Sequence, residues 1–265
     1  MKAVLFFLAL LLLTADIPFL PEALAEEEIY FKKAEDHQAM IPVKRVRRIK
    51  IPKGHHEGLL IDGNSIWMNN GLGAKTWIID LASEDIVSEI TPVATFTEGI
   101  TPAPGGGYWV TDWDTAKLYL VEIRDKKMEA VSEKSFAPSL PAGVIWNGSR
   151  LYVVTWTRGA GTKYHLIEMD KDGNVVRKAR IKGIPEPSQL AWDGTHLWIT
   201  SWFNGRVYKV DVENFEIKGY FRSNIKKLSG IAWDGRSFWL TSTKADLYQV
   251  EITSSLSRGP LRSSQ

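Results

Sequence analysis

Short runs of alternating apolar and polar residues dominate this chain, and helical periodicity is not evident in any of them. Five stretches share one pattern: "EGLLIDGNSIWMNNG" from Glu57, "EGITPAPGGGYWVTDW" from Glu98, "AGVIWNGSRLYVVTW" from Ala142, "SQLAWDGTHLWITSW" from Ser188 and "SGIAWDGRSFWLTST" from Ser229. Their starts lie 41, 44, 46 and 41 residues apart. Each holds a short apolar run, a turn and an alternating second run. The turns are Asp62-Gly63, Pro104-Gly105, Asn147-Gly148, Asp193-Gly194 and Asp234-Gly235. Asp-Gly and Asn-Gly pairs supply the positive φ of a type I′ hairpin. A third run follows in every repeat, such as "KLYLVEI" and "RVYKVDV", and a fourth closes most of them.

Repeats of about 40 residues with four strands each predict propeller blades. A propeller must close, or it leaves a raw sheet edge. The fifth repeat ends at Ile252 after its third strand. The run "VKRVRRIKIP", residues 43–52, is predicted to supply the missing strand. The expectation is an all-β chain whose residues 43–253 form a five-bladed β-propeller closed by an N-terminal strand. Its blades start near residues 57, 98, 142, 188 and 229.

The ends read differently. Residues 1–25 resemble a signal peptide: Lys2, the apolar run Ala3–Leu13, and "ALA" before "EEE". That implies export, to a secreted or periplasmic destination. No other stretch approaches the length of a membrane span, so none is expected after cleavage. Residues 26–42 read as a loose lead-in, and residues 254–265 as a disordered polar tail. The chain has no cysteine, hence no disulfide, lipobox or thiol chemistry. A formal net charge of +2 provides no basic field of the kind nucleic-acid binding needs. The expected partner is a peptide or small molecule, and the expected state is a monomer.

Aligned blades turn sequence positions into rings. The first strand of each blade opens with Glu57, Glu98, Ala142, Ser188 and Ser229. Near the end of the second strand come Gly71, Trp113, Trp156, Trp202 and Thr243. Both rings are expected at one mouth of the central channel. Two glutamates from adjacent blades would then face Trp113, Trp156 and Trp202, with His55, His56, Asp112, Arg158, Asn204, Arg206 and Lys244 within reach. Paired carboxylates at a partly dry site titrate as a unit, and one of them can hold a proton near neutral pH. Tryptophans supply flat apolar walls. The recurring aromatics earlier in the second strand, Trp67, Trp109, Tyr152, Trp198 and Trp239, are expected in the core. Adjacent strand residues point to opposite faces, so His55-His56-Glu57 is a poor metal cluster. Neither a metal nor a cofactor is expected. The run "DKDGN" at residues 170–174 is expected to be a hairpin turn rather than a calcium loop.

The pieces "EGLLIDG", "FTEGIT", "WDTAKLYLVEI" and above all "LSGIAWDGRSFWLTST" resemble the plant and bacterial type of glutaminyl cyclase (glutamine cyclotransferase), a five-bladed propeller. The resemblance runs from His55 to Ile252. It implies cyclisation of an N-terminal glutamine to pyroglutamate with loss of ammonia, without a metal. It implies Glu98 as proton shuttle, Trp113 and Trp202 as pocket walls and Lys244 near the substrate. Beside it, Glu57 stands where the family has a glutamine and is expected to bind the amine, Trp156 is expected to refill lost aromatic volume, and of the two rim histidines His56 is expected to touch the ligand. The chain is a divergent member on this reading. Ala142 stands where the family has an aromatic, and Pro187-Ser188 where it has an Asn-Glu type pair that grips the amine. Those departures also suit a non-catalytic envelope propeller that binds a peptide, protein or small ligand. A lactone hydrolase or lyase ranks last, because the mouth offers only two glutamates.

Overall fold

The structure, a computed structural model, describes residues 29–33, 39–244 and 246–253. The expected signal peptide and the expected tail, residues 1–25 and 254–265, lie outside the described residues. Five antiparallel sheets follow the five repeats. Blade one is built from His56–Asp62, Ser65–Asn70, Lys75–Asp80 and Ile86–Ile90. Blade two comprises Thr97–Pro102, Tyr108–Asp112, Lys117–Arg124 and Lys127–Ser135. Blade three comprises Ser139–Trp146, Leu151–Thr157, Lys163–Met169 and Val175–Arg180. Blade four follows with Pro187–Trp192, Leu197–Ser201, Arg206–Asp211 and Glu216–Arg222. Blade five joins Leu228–Trp233, Phe238–Ser242 and Leu247–Ile252 to Val43–Ile49. The last of these pairs antiparallel with Leu247–Ile252, so the start of the fold closes its end.

The first strands contact one another in a circle, one to two through five and back to one. Hydrophobic side chains form five clusters, one in each wedge between neighbouring blades. Strand alternation explains this. Met68 packs toward blade five while its neighbour Trp67 packs toward blade two, and Trp239 faces blade one while Leu240 faces blade four. The recurring aromatics are therefore core, as their spacing predicts: Trp67, Trp109, Tyr152, Trp198 and Trp239 are all buried.

The lead-in is not wholly loose. Ile29–Tyr30 adds a parallel strand to the outer edge of blade three, and Lys32–Lys33 does the same on blade four. Between them Phe31 is buried and stacks on Phe215 at 5.7 Å. A single aromatic anchor offsets the entropy of ordering a short polar segment, which composition alone does not reveal.

The hairpin turns also differ in detail. In blades three to five the first and second strands are joined by four residues, 147–150, 193–196 and 234–237. Glycine takes positive φ in each, as expected. The Asp or Asn side chain caps the wider loop: Asp193 Oδ1 accepts from the N–H groups of Thr195 and His196 at 2.8 and 2.7 Å. Its second oxygen accepts from Trp198 Nε1 at 2.7 Å, and Asp234 holds Trp239 likewise at 2.9 Å. One carboxylate thus satisfies the turn and the buried indole together. The segment 170–174 is a turn of the same kind, with Asp170 Oδ1 accepting from the N–H groups of Asp172 and Asn174.

Candidate functional site

Where the first strands converge, a side chain has almost no room. A Cβ on Gly58 would lie 2.3 Å from the carbonyl oxygen of Glu98, and one on Gly143 2.6 Å from that of Ser188. Gly99 and Gly230 occupy the same position in their blades and are equally hemmed in by backbone or side chain of the next blade. Each first strand carries a register shift here. The bulge turns the preceding residue into the channel mouth. That residue is Glu57, Glu98, Ala142, Ser188 or Ser229.

A cavity of about 390 Å³ opens at this mouth. It brings together Glu57, Glu98, Trp113, Trp156 and Trp202 as the ring alignment anticipates, and Ala142 and Ser188 also line it. Trp113 and Trp156 meet edge to face at 5.5 Å, and Trp156 Nε1 donates to the Pro187 carbonyl at 2.6 Å. The Arg158 guanidinium sits 5.4 Å from the Trp113 ring centre. The ring of Phe96 completes the apolar wall.

Glu57 and Glu98 are buried at its base and hydrogen-bond to each other. Burial pushes both carboxyls well above the usual range. The charge of Glu57 and the hydrogen bond to it push Glu98 further up, whereas the same bond eases Glu57 down. Two such carboxyls titrate as a unit, and a proton shared between them is what lets them hydrogen-bond to each other. Two side chains flank the pair. His55 lies with Nε2 at 2.8 Å from Glu57 Oε1. Burial lowers the His55 pKa; Glu98 opposes this, and Lys227 and Lys244 add to it. On the other side Gln189 Nε2 donates to Glu98 Oε2 at 3.1 Å.

Two expected residues fall elsewhere. The ring of His56 is buried, packs on Trp77 at 5.8 Å and bonds the Pro52 carbonyl at 3.0 Å. It does not line the cavity, whereas His55 does. Strand alternation is the reason: residues 55 and 57 share a face and residue 56 takes the opposite one. Lys244 lines an adjoining groove, sharing only Trp202 with the cavity. Of the looser candidates, Asp112 is fully buried and caps Thr115 N–H at 2.8 Å, and Asn204 donates to the Tyr208 hydroxyl at 2.9 Å.

Two residues of the site escape the ring alignment. Gln189 occupies the position that is glycine in the other four blades, and "SQL" among "EGL", "EGI", "AGV" and "SGI" is the signal for it. Glu186 lines the cavity just before the Pro187-Ser188 departure. Its φ is +45°, and its Oε2 is buried with no hydrogen-bond partner. Its carbonyl accepts from the Trp202 N–H at 2.9 Å, which fixes the segment in place. Among the described residues no group of three or more His, Asp and Glu is arranged to hold a metal ion.

Fold and site together define a five-bladed β-propeller with an aromatic-walled acid pair at one channel mouth. Among solved structures, the chain is similar to the glutaminyl cyclase of Myxococcus xanthus, with a TM-score of 0.64 and 14% identity over 82% of this chain and 100% of that one. It is also similar to the virginiamycin B lyase of Staphylococcus aureus, with a TM-score of 0.51 and 13% identity over 80% of this chain and 100% of that one. No protein-family model and no curated protein sequence matches the chain. At these identities the likeness carries the propeller fold. No helix of the described residues is long and apolar enough to cross a membrane.

Proposed function

We propose that this propeller is an exported glutaminyl cyclase-like enzyme, converting the N-terminal glutamine of a peptide to pyroglutamate with release of ammonia. The observation that carries this reading is the buried, mutually hydrogen-bonded Glu57–Glu98 pair at the base of an aromatic cavity. Cyclisation needs a base for the attacking amine and an acid for the departing nitrogen, close together, and such a pair is both at once.

Each step follows from the residues. The α-amine sits against ionised Glu57, with the unpartnered oxygen of Glu186 a second acceptor in the same cavity. The side-chain carboxamide folds back between Trp113, Trp156 and Trp202. The amine nitrogen attacks the carboxamide carbon and passes a proton to Glu57. Glu98 gives its proton to the carboxamide nitrogen, the C–N bond breaks, and ammonia leaves. The proton gained by Glu57 returns to Glu98 along the hydrogen bond that joins them, so the pair ends as it began. The apolar walls keep water away from the tetrahedral intermediate, which favours ring closure over hydrolysis to glutamate.

The small residues Ala142 and Ser188 widen the cavity and suit the second reading, an envelope module that binds a peptide amine without turnover. Mass spectrometry of a glutaminyl peptide incubated with the purified protein separates the two. Loss of one ammonia from the peptide supports the enzyme; an unchanged peptide that still binds supports the module.

A further inference from the structure

A second, larger groove of about 1080 Å³ runs between blades four and five and meets the acid-pair cavity at Trp202. Its charge is one-sided. Arg45, Lys226, Lys227 and Lys244 line it, all four exposed, and no Asp or Glu does. None of the four pairs with a carboxylate among the described residues. Asp246, two residues beyond Lys244, is engaged instead by Arg48 at 2.6 Å. Two of the cations lie over aromatic rings, Arg45 at 3.9 Å from the centre of Tyr248 and Lys227 at 4.9 Å from that of Trp202. The groove thus presents cations on an aromatic floor, and Phe203 stands on its wall, 70% exposed. The cations also act on the cavity itself, since Lys227 and Lys244 both lower the pKa of His55.

We propose that this groove binds acidic residues immediately downstream of the peptide N-terminus held in the cavity, so that the protein selects acidic peptides. The assignment rests on the peptide reading given above, and it deepens it. An extended chain advances about 3.3–3.6 Å per residue, so the residues following one seated beside Trp202 pass into the groove. Like charges clustered without counterions repel one another, and a strip of carboxylates relieves that repulsion. The groove adds affinity and orientation; the chemistry stays with the acid pair.

Binding tests this apart from turnover. Three peptides of one length begin with glycine, which offers a free amine but cannot cyclise, and carry Glu-rich, neutral or Lys-rich downstream residues. Fluorescence anisotropy at low salt should rank them acidic, neutral, basic, with roughly tenfold between the first two from several exposed charge pairs acting together. The preference should shrink as salt rises. A Lys226→Glu/Lys244→Glu variant should invert the order, which a merely structural role for these lysines would not do. Lys226→Ala/Lys244→Ala, a milder change, should flatten it. Equal affinities for acidic and neutral peptides, or a preference that survives in both variants, would overturn the proposal. So would tighter binding of a polyphosphate of equal charge than of the acidic peptide. Ammonia release from a glutaminyl peptide is scored separately, so an inactive protein with a clear acidic preference counts against the cyclase reading alone.

Discussion

Gln189 of blade four reaches across the channel to Glu98, 91 residues earlier in the chain, and donates to its Oε2 at 3.1 Å. It is the one side chain at a level where the other four blades carry glycine. Its hydrogen bond favours ionised Glu98 and so opposes the burial that holds the proton there. Gln189→Leu should keep the fold and move the alkaline limb of the pH–rate profile to higher pH. An unshifted limb in an active variant would remove Gln189 from the site.

The pH profile should be bell-shaped. On the acid side activity is lost as Glu57 protonates, and on the alkaline side as Glu98 ionises. Both limbs lie above the ordinary carboxylate range because both carboxyls are raised by burial. The apparent values belong to the pair.

The same shifts bear on stability. A carboxyl whose folded pKa is raised binds its proton more tightly in the folded state than in the unfolded chain. Its contribution to stability is then lost as pH rises from the unfolded value through the folded one. Glu98→Gln should therefore unfold at a higher temperature than the unmutated protein at neutral and alkaline pH. The difference should shrink as pH falls toward the ordinary value of 4.5. Calorimetry across pH reads this, and a variant less stable at every pH would contradict it.

The two histidines should separate cleanly. His56→Ala removes a buried ring with its bond to Pro52, and it should cost about 2 kcal/mol of stability while leaving turnover per folded molecule nearly unchanged. His55→Ala removes the donor to Glu57 and should change turnover and its pH profile with little loss of stability.

Gly58→Ala places a methyl 2.3 Å from the Glu98 carbonyl. Urea unfolding should show a loss of about 2–3 kcal/mol. The surviving folded fraction should be impaired, because the clash is with the backbone of the proton-carrying residue.

Much of the fold was legible because repetition and alternation state it directly. Five copies of one hairpin, spaced by a blade length, leave little freedom, and the run predicted to supply the missing fourth strand, residues 43–52, does so over Val43–Ile49. The cavity's glutamates and tryptophans followed from blade alignment alone. The misplacements have local causes. His55, not His56, shares the inward face with Glu57, and strand alternation in the sequence already implies it. Lys244 sits on the wall of the next groove, a displacement no repeat pattern encodes. Gln189 and Glu186 are deviations from the repeat, and averaging over blades hides the positions where one blade differs. Phe31 anchors the lead-in by its burial in the core between blades three and four, which composition cannot register.

The central claim is that the Glu57–Glu98 pair moves a proton from the amine to the departing nitrogen. Its most direct test is continuous measurement of ammonia release from a glutaminyl peptide by the unmutated protein and by Glu98→Gln, both shown folded by circular dichroism. The account predicts release by the former and a rate lower by about 10²–10⁴-fold in the latter, the usual worth of a positioned general acid. Equal rates in the two proteins, or no release by the unmutated protein at any pH, would contradict it.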